Sequence, residues 1–266
     1  MTQMNYVKRI GLDTYRIQNR GGKGIKGMQT REEDVVTKLF LSSNHSYLLY
    51  FTDMGRVYRT KTYNIPEAGR TAKGTPVVNI IEKSPEEKIS EIIPVKEFSD
   101  NEYLVMVTKN GIIKKTPASE YESIRKSGKI AITLKEGDEL ISIFKTTGND
   151  NIFLATRNGM AICFNENDAR AVGRTASGVK AIDLADGDYV VGAEPVREDS
   201  KVLLVTDGGY GKCTDLTSFR IQHRGGKGLK AYKITEKTGN IIGISMVNDS
   251  EELIMVTSEG VVIRIR

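Results

Sequence analysis

Tyr103-Leu104-Val105-Met106-Val107-Thr108-Lys109-Asn110-Gly111-Ile112-Ile113-Lys114-Lys115-Thr116 sets the reading of the whole chain. An apolar run rich in β-formers is closed by a threonine, turns at Asn110-Gly111 and returns as a strand of apolar and basic residues, mixed in the second repeat as Arg56-Val57-Tyr58-Arg59. This pattern predicts a β-hairpin with a two-residue turn. The phrase recurs at Tyr47–Gly55, Asn151–Gly159, Lys201–Gly209 and Glu252–Gly260, and Met1–Arg9 reads as a further copy without its apolar run. The six threonines are Thr2, Thr52, Thr108, Thr156, Thr206 and Thr257, spaced by 50, 56, 48, 50 and 51 residues. A basic residue stands 18 positions after each of the first five: Arg20, Arg70, Lys126, Arg174 and Arg224. A fixed period of this length is the signature of a repeat architecture.

Each repeat reads as four strands: the apolar run, the basic-apolar return strand, a short third strand and a longer fourth one. The expected third strands are Val77–Ile80, Ala131–Leu134 and Val179–Ile182, and the expected fourth ones include Glu139–Phe144 and Tyr189–Glu194. No segment keeps a helical period over three turns. The expected fold is therefore all-β, a propeller-like ring of four-stranded blades over residues 1–266 as a single domain, with repeats beginning near 2, 52, 108, 156, 206 and 257 and the last blade incomplete.

Composition narrows the function. Two cysteines, Cys163 and Cys213, make no disulfide framework and predict a reduced, cytoplasmic protein. Two histidines and two cysteines leave almost nothing for a His/Cys metal site, so neither metal nor cofactor is expected. No stretch approaches the roughly 20 apolar residues that cross a bilayer. Paired acids such as Glu86-Glu87 read as solvated loop charges, and no catalytic set is visible.

Charge is sorted by repeat phase. The 27-residue windows that open at each threonine, with the last one shorter, hold 28 of the 39 lysines and arginines but only 10 of the 34 acids. One half of every blade is basic, which places a basic stripe along the same edge of successive blades. A continuous cationic stripe on a curved body suits bent double-stranded nucleic acid, held through its phosphates. Lys8, Arg9, Arg59, Lys73, Lys114, Lys115, Lys129 and Lys212 are candidate contacts, together with the landmarks Arg70, Lys126, Arg174 and Arg224. The return strand ends in a basic residue at Arg9, Arg59, Lys115 and Arg264, and in Cys163 and Cys213 in the other two copies.

The landmarks lie in glycine-rich loops. Repeat one carries Gln18-Asn19-Arg20-Gly21-Gly22-Lys23-Gly24 and repeat five Gln222-His223-Arg224-Gly225-Gly226-Lys227-Gly228. Glycines around a basic pair let the backbone approach phosphate. The loop is not a P-loop, since Gly24 and not Ser or Thr follows Lys23. QNRGGKG resembles the seven-residue box of the bacterial DNA gyrase A C-terminal domain family, as do the flanking Tyr15-Arg16-Ile17 and the phrases VYRTKTYNIPEAGRTAKG, NGIIKKT and VGRTASGVKAI. The resemblance implies a six-bladed β-pinwheel that wraps double-stranded DNA on its outer rim with a positive crossing. It assigns the box to Gln18, Arg20, Gly21, Gly22, Lys23 and Gly24, with Asn19 and His223 standing where the family has a basic residue. It also implies no catalysis in this part, and as partners the breakage-reunion part of the gyrase A polypeptide with the gyrase B polypeptide. The alternatives are the corresponding domain of topoisomerase IV and a protein-binding propeller.

Overall fold

The computed structural model describes residues 1–11, 34, 36–69 and 72–251, and the backbone of Leu253–Val256 and Val262–Ile265. Repeat one contributes β1 (Tyr6–Val7), and repeat two β2 (Tyr47–Thr52), β3 (Arg56–Lys61), β4 (Thr75–Pro76) and β5 (Ile89–Val95). Repeat three contributes β6 (Tyr103–Thr108), β7 (Ile112–Pro117), β8 (Lys129–Ile130) and β9 (Leu140–Thr146). Repeat four contributes β10 (Asn151–Thr156), β11 (Met160–Asn165), β12 (Val179–Lys180) and β13 (Val190–Pro195). Repeat five contributes β14 (Lys201–Thr206), β15 (Gly211–Asp215), β16 (Leu229–Lys230) and β17 (Ile241–Val247), and repeat six β18 (Leu253–Val256) and β19 (Val262–Ile265).

The threonine that marks each repeat has a mechanical role. The Oγ1 atoms of Thr2, Thr52, Thr108, Thr156 and Thr206 accept the backbone N–H four residues on, at 3.1–3.3 Å. All five threonines are buried. Each also accepts through its carbonyl from the N–H three residues later, as Gly111 to Thr108 does at 3.0 Å. Positive φ falls on Gly55, Gly111, Gly159 and Gly209, and in repeat one on Asn5. Asn110 and Asn158 do not adopt it, so these hairpins are not the expected two-residue turns. The turn begins at the threonine and ends on a left-handed glycine, the longer hairpin form.

The sheets are not built as the sequence suggests. Their orders are β5-β2-β3-β8, β9-β6-β7-β12 and β13-β10-β11-β16, all antiparallel, so the outermost strand of each comes from the next repeat. β1 pairs with β4 in the same sense. The third strands are two residues long, and the apolar residues expected to extend them do another job. Val77–Asn79 is a 3-10 turn, while Ala131 and Ile132 leave the ladder and enter the core. Their N–H groups go to Gly55 O at 2.8 and 3.2 Å, as Ala181 N goes to Gly111 O and Ala231 N to Gly159 O.

The crossing into the neighbouring sheet depends on one glycine per loop. Gly74, Gly178 and Gly228 have φ of +84°, +90° and +75°, and a Cβ on them would lie 2.6, 2.5 and 2.4 Å from the carbonyl oxygens of Val7, Ile113 and Ala161. Gly128 meets the Tyr58 ring in the same way.

Continuous apolar first strands follow from this stacking. Leu48, Leu49, Tyr50 and Phe51 are all fully buried, because alternate residues enter cores on opposite faces of one sheet. Leu49 and Phe51 pack with Leu104 and Met106, while Val105 and Val107 pack with Ile152 and Leu154. Phe153 and Ala155 pack in turn with Val202 and Leu204. The fourth strands touch in succession, β5 with β9, β9 with β13 and β13 with β17, on the side opposite the borrowed strands. The basic loops therefore lie at the outer edge.

Gly178→Ala and Gly137→Ala separate backbone strain from the close approach. Gly137 has φ +73° but open space, so alanine there should cost about 1–2 kcal/mol. Gly178→Ala should cost roughly 2 kcal/mol more from overlap with Ile113. Equal shifts of the urea midpoint in the two variants would show that the approach is not limiting.

Candidate nucleic-acid interface

In repeats two, four and five the outer loop is fastened at both ends to the return strand of the preceding repeat. One fastening is the borrowed strand. The other is a parallel bridge from the last basic-or-cysteine position of that strand: Arg9 to Glu67, Lys115 to Ala171 and Cys163 to Ile221. Between these points the loops of repeats four and five carry the landmarks Arg174 and Arg224.

The landmarks themselves divide. The half-buried Arg224 donates through Nε to Asp168 O at 2.8 Å and through a terminal nitrogen to Lys180 O at 3.0 Å. Its N–H, and the Nδ1 of the exposed His223, meet Asp168 Oδ2. Gln222 N–H donates to Cys163 O at 2.8 Å, and the Gln222 side-chain amide nitrogen is buried without a partner among the described residues. Arg174 likewise turns its guanidinium back to Ile130 O. These arginines clamp their loop to the borrowed strand of the repeat before. Lys126, by contrast, is exposed, as are Lys73 and Lys227, and none of the three makes a hydrogen bond or ion pair with a described residue.

Several other candidates are engaged. Lys8 Nζ donates to Gly69 O at 3.1 Å and Ala72 O at 3.0 Å. Arg9 pairs with Glu67 and donates to Ile65 O and Asn44 Oδ1. Arg59 donates to Glu122 O and sits 4.7 Å from the Tyr47 ring centre. Lys212 is exposed but reaches Ala231 O at 3.3 Å, and Lys129 is half-exposed at the start of its strand. The box residues Gln18, Arg20, Gly21, Gly22, Lys23 and Gly24 lie outside the described residues, as does Arg70.

Two expected surface lysines are interior. Lys115 Nζ forms a 2.8 Å ion pair with Glu166, both nearly inaccessible, and lies 4.3 Å from the Tyr103 ring centre. Glu166 is otherwise saturated by Thr146 Oγ1 and by the N–H groups of Gly148 and Asp150, at 2.8–2.9 Å. Lys114 is 1 % exposed. Its Nζ donates to the carbonyls of Ala131 and Arg174, with no carboxylate bonded to it. Burial, reinforced by the Arg174 charge, lowers its pKa to about 7. Both lie inside because residues of the next repeat fold over their strand.

Exposed cations also occur where none was assigned. Lys180 and Lys230 stand at the end of borrowed strands, 24 residues after Thr156 and Thr206, and Arg170 and Arg220 each stand 14 after them. Those shared offsets were the available signal. Lys180 also pairs with Asp183 at 2.8 Å, which holds the Asp183 carboxyl below its usual range. Of the cysteines, Cys163 is buried, with its thiol pushed up to about 11 by burial, and Cys213 is exposed on β15. Among the described residues no group of His, Cys, Asp or Glu is placed to hold a metal ion, and no helix is long and apolar enough to cross a membrane.

The Lys114 amine makes stability depend on pH. The unfolded chain holds its proton up to the ordinary lysine range, and the folded chain loses it near pH 7. Between these limits the unfolded state binds more protons, so stability should rise with pH from about 7 to 9. Lys114→Met should flatten that slope in urea titrations, and an unchanged slope would place the proton elsewhere.

The family described as DNA gyrase C-terminal domain, beta-propeller, matches residues 1–43, 46–96, 102–147, 150–197, 200–248 and 251–266. Over 265 residues the chain is 56% identical to the DNA gyrase A polypeptide of Halalkalibacterium halodurans and 52% identical to that of Clostridium acetobutylicum. Each match covers 100% of this chain and 32% of the relative, so the chain spans about a third of their length. Among solved structures, a C-terminal domain of DNA topoisomerase IV superposes with TM-score 0.83 at 28% identity, covering 99% of this chain and 81% of that one. A DNA gyrase A C-terminal domain superposes with TM-score 0.79 at 26% identity, covering 99% and 87%. The repeated four-stranded antiparallel sheets match the fold of the DNA gyrase A C-terminal domain, and the chain belongs to the DNA gyrase C-terminal domain family.

Proposed function

We propose that residues 1–266 form one non-catalytic unit that binds double-stranded DNA and wraps it along the outer edge. The observation that carries this reading is the phase of the exposed cations. Lys73, Lys126 and Lys227 stand in the outer loops of repeats two, three and five, and Lys180 and Lys230 continue the same edge. Contacts of this kind neutralise phosphates without reading bases, and several are needed to offset a bending cost of several kcal/mol. The wrap would present a second duplex with a positive crossing, so that strand passage by the parent enzyme, an ATP-dependent type II topoisomerase, gives negative supercoils. In that cytoplasmic enzyme the partners would be the breakage-reunion part of the gyrase A polypeptide and the gyrase B polypeptide. The box residues Gln18, Arg20, Gly21, Gly22, Lys23 and Gly24 are assigned to the start of the wrap. The second reading is a topoisomerase IV domain, favoured by the 0.83 superposition.

Ligating nicked circular DNA with increasing amounts of the chain should raise the linking number. The shift should vanish in the Gly21→Ala, Gly22→Ala, Lys23→Ala triple variant with the fold intact. Combined Lys73→Ala, Lys126→Ala and Lys227→Ala should reduce the slope of log affinity against log salt by about 3. Binding without a linking-number shift would favour the topoisomerase IV reading. No binding at low salt would favour a protein-binding propeller.

A further inference from the structure

Lys8, Lys114 and Lys212 occupy the same place in repeats one, three and five, six residues after the threonine. The loops that follow Lys8 and Lys114 in the next repeat share the phrase Gly-Arg-Thr-Ala-x-Gly, at Gly69–Gly74 and Gly173–Gly178. In both, the lysine nitrogen reaches carbonyls of that loop, Gly69 O and Ala72 O for Lys8, and Arg174 O for Lys114. The loop of repeat three, which ends at Gly128, rests instead on the Tyr58 ring, and Gly228 of repeat five meets Ala161 and Ile162. A lysine beneath the loop thus goes with one loop sequence.

Lys114 is the buried member of the set. Its nitrogen bonds two carbonyls, Ala131 O from its own repeat and Arg174 O from the next. Tyr121, itself buried, shares the Ala131 acceptor at 3.4 Å. The charged groups acting on the nitrogen are Arg174, which opposes a positive charge, and Glu120, which favours one. A neutral amine has two N–H groups and finds two acceptors. An ammonium has a third with no partner, and it stands below a loop that already carries Arg174.

We propose that Lys114 is a positioning residue for DNA, tying the Gly173–Gly178 loop to the sheet of repeat three, and that phosphate docked on that loop draws one proton from solvent onto its amine. This rests on the DNA-wrapping reading. The phosphate offsets the Arg174 charge and supplies the negative potential that the buried nitrogen lacks. Binding then takes up a proton in the range where the free domain holds the amine neutral, and affinity falls as pH rises.

The test is calorimetric titration of the full chain with a short linear duplex, at about pH 8, in buffers of contrasting ionisation enthalpy. Wild-type protein should take up close to one proton per domain, and affinity should weaken by up to about tenfold per pH unit toward pH 9. Lys114→Met should bind with that uptake lost. Because this variant removes a core side chain, nitrogen NMR of the lysine side chains in wild-type protein reads the same event: the Lys114 amine should be neutral at about pH 8 alone and protonated with duplex. Equal uptake in Lys114→Met, or an amine whose protonation does not change with duplex, would overturn the inference and leave wrapping untouched. No duplex binding at any pH and low salt would overturn wrapping, and this inference with it, even where the free amine titrates near pH 7.

Discussion

The outer edge of a return strand is a row of main-chain donors and acceptors that must be satisfied, and here repeats two to five each satisfy it for the one before. An exposed edge of this kind invites pairing with any other chain. The repeat that follows supplies two residues of ladder at Lys129–Ile130, Val179–Lys180 or Leu229–Lys230, then turns inward. Everything else in the blade is arranged around that crossing: the left-handed glycine ahead of it, the alanine and apolar residue that dive behind the hairpin, and the arginine that locks onto the borrowed strand. The repeats are consequently not modules. Deleting one removes a core face from each neighbour and an edge strand from the one before, which makes the assembly more coupled than a solenoid of nearest-neighbour units.

The same crossing explains which charges meet solvent. Lysines on a strand look like wet positions, and on an isolated hairpin they would be. Lys114 and Lys115 are consecutive on β7 and point to opposite faces of the sheet, and residues of repeat four meet both: the Lys114 amine donates to carbonyls, Arg174 O among them, and the Lys115 amine pairs with the Glu166 carboxylate. The surface cations are left in the loop itself and on the borrowed strands. Charge segregation along the chain thus describes two populations, one that builds the edge and one that decorates it.

Much of the architecture could be read from residue spacing. The threonines announce the hairpins because their hydroxyls close the turn, a local interaction that repeats with the sequence. The landmarks announce the loops for a similar reason, and Arg174 and Arg224 also clamp them, through guanidinium groups that bond main-chain carbonyls of the borrowed strand before. What could not be read is partner choice. A two-residue strand carries no periodicity, and nothing within Lys129–Ile130 says whether it pairs with Ile112–Pro117 of its own repeat or with Arg56–Lys61 of the previous one. The apolar residues after it, Ala131 and Ile132, look like a continuation because a core plug and a strand use the same amino acids. The burial of Lys114 has the same origin, since its cover comes from residues 60 positions away.

The double fastening of the loops in repeats two, four and five also fixes a load path. An outward pull at Gly173–Gly178 is not borne by repeat four alone. It divides between the bridge at Lys115 and the ladder at Ile112 and Ile113, both on one strand of repeat three, and the strands of repeat four that continue the chain. Two sheets resist, with the bridge and the ladder loaded in parallel, so neither is peeled open one hydrogen bond at a time. A bent elastic rod held at successive loops would pull on this rim continuously, and its recoil would be spread around the ring as tension between neighbours.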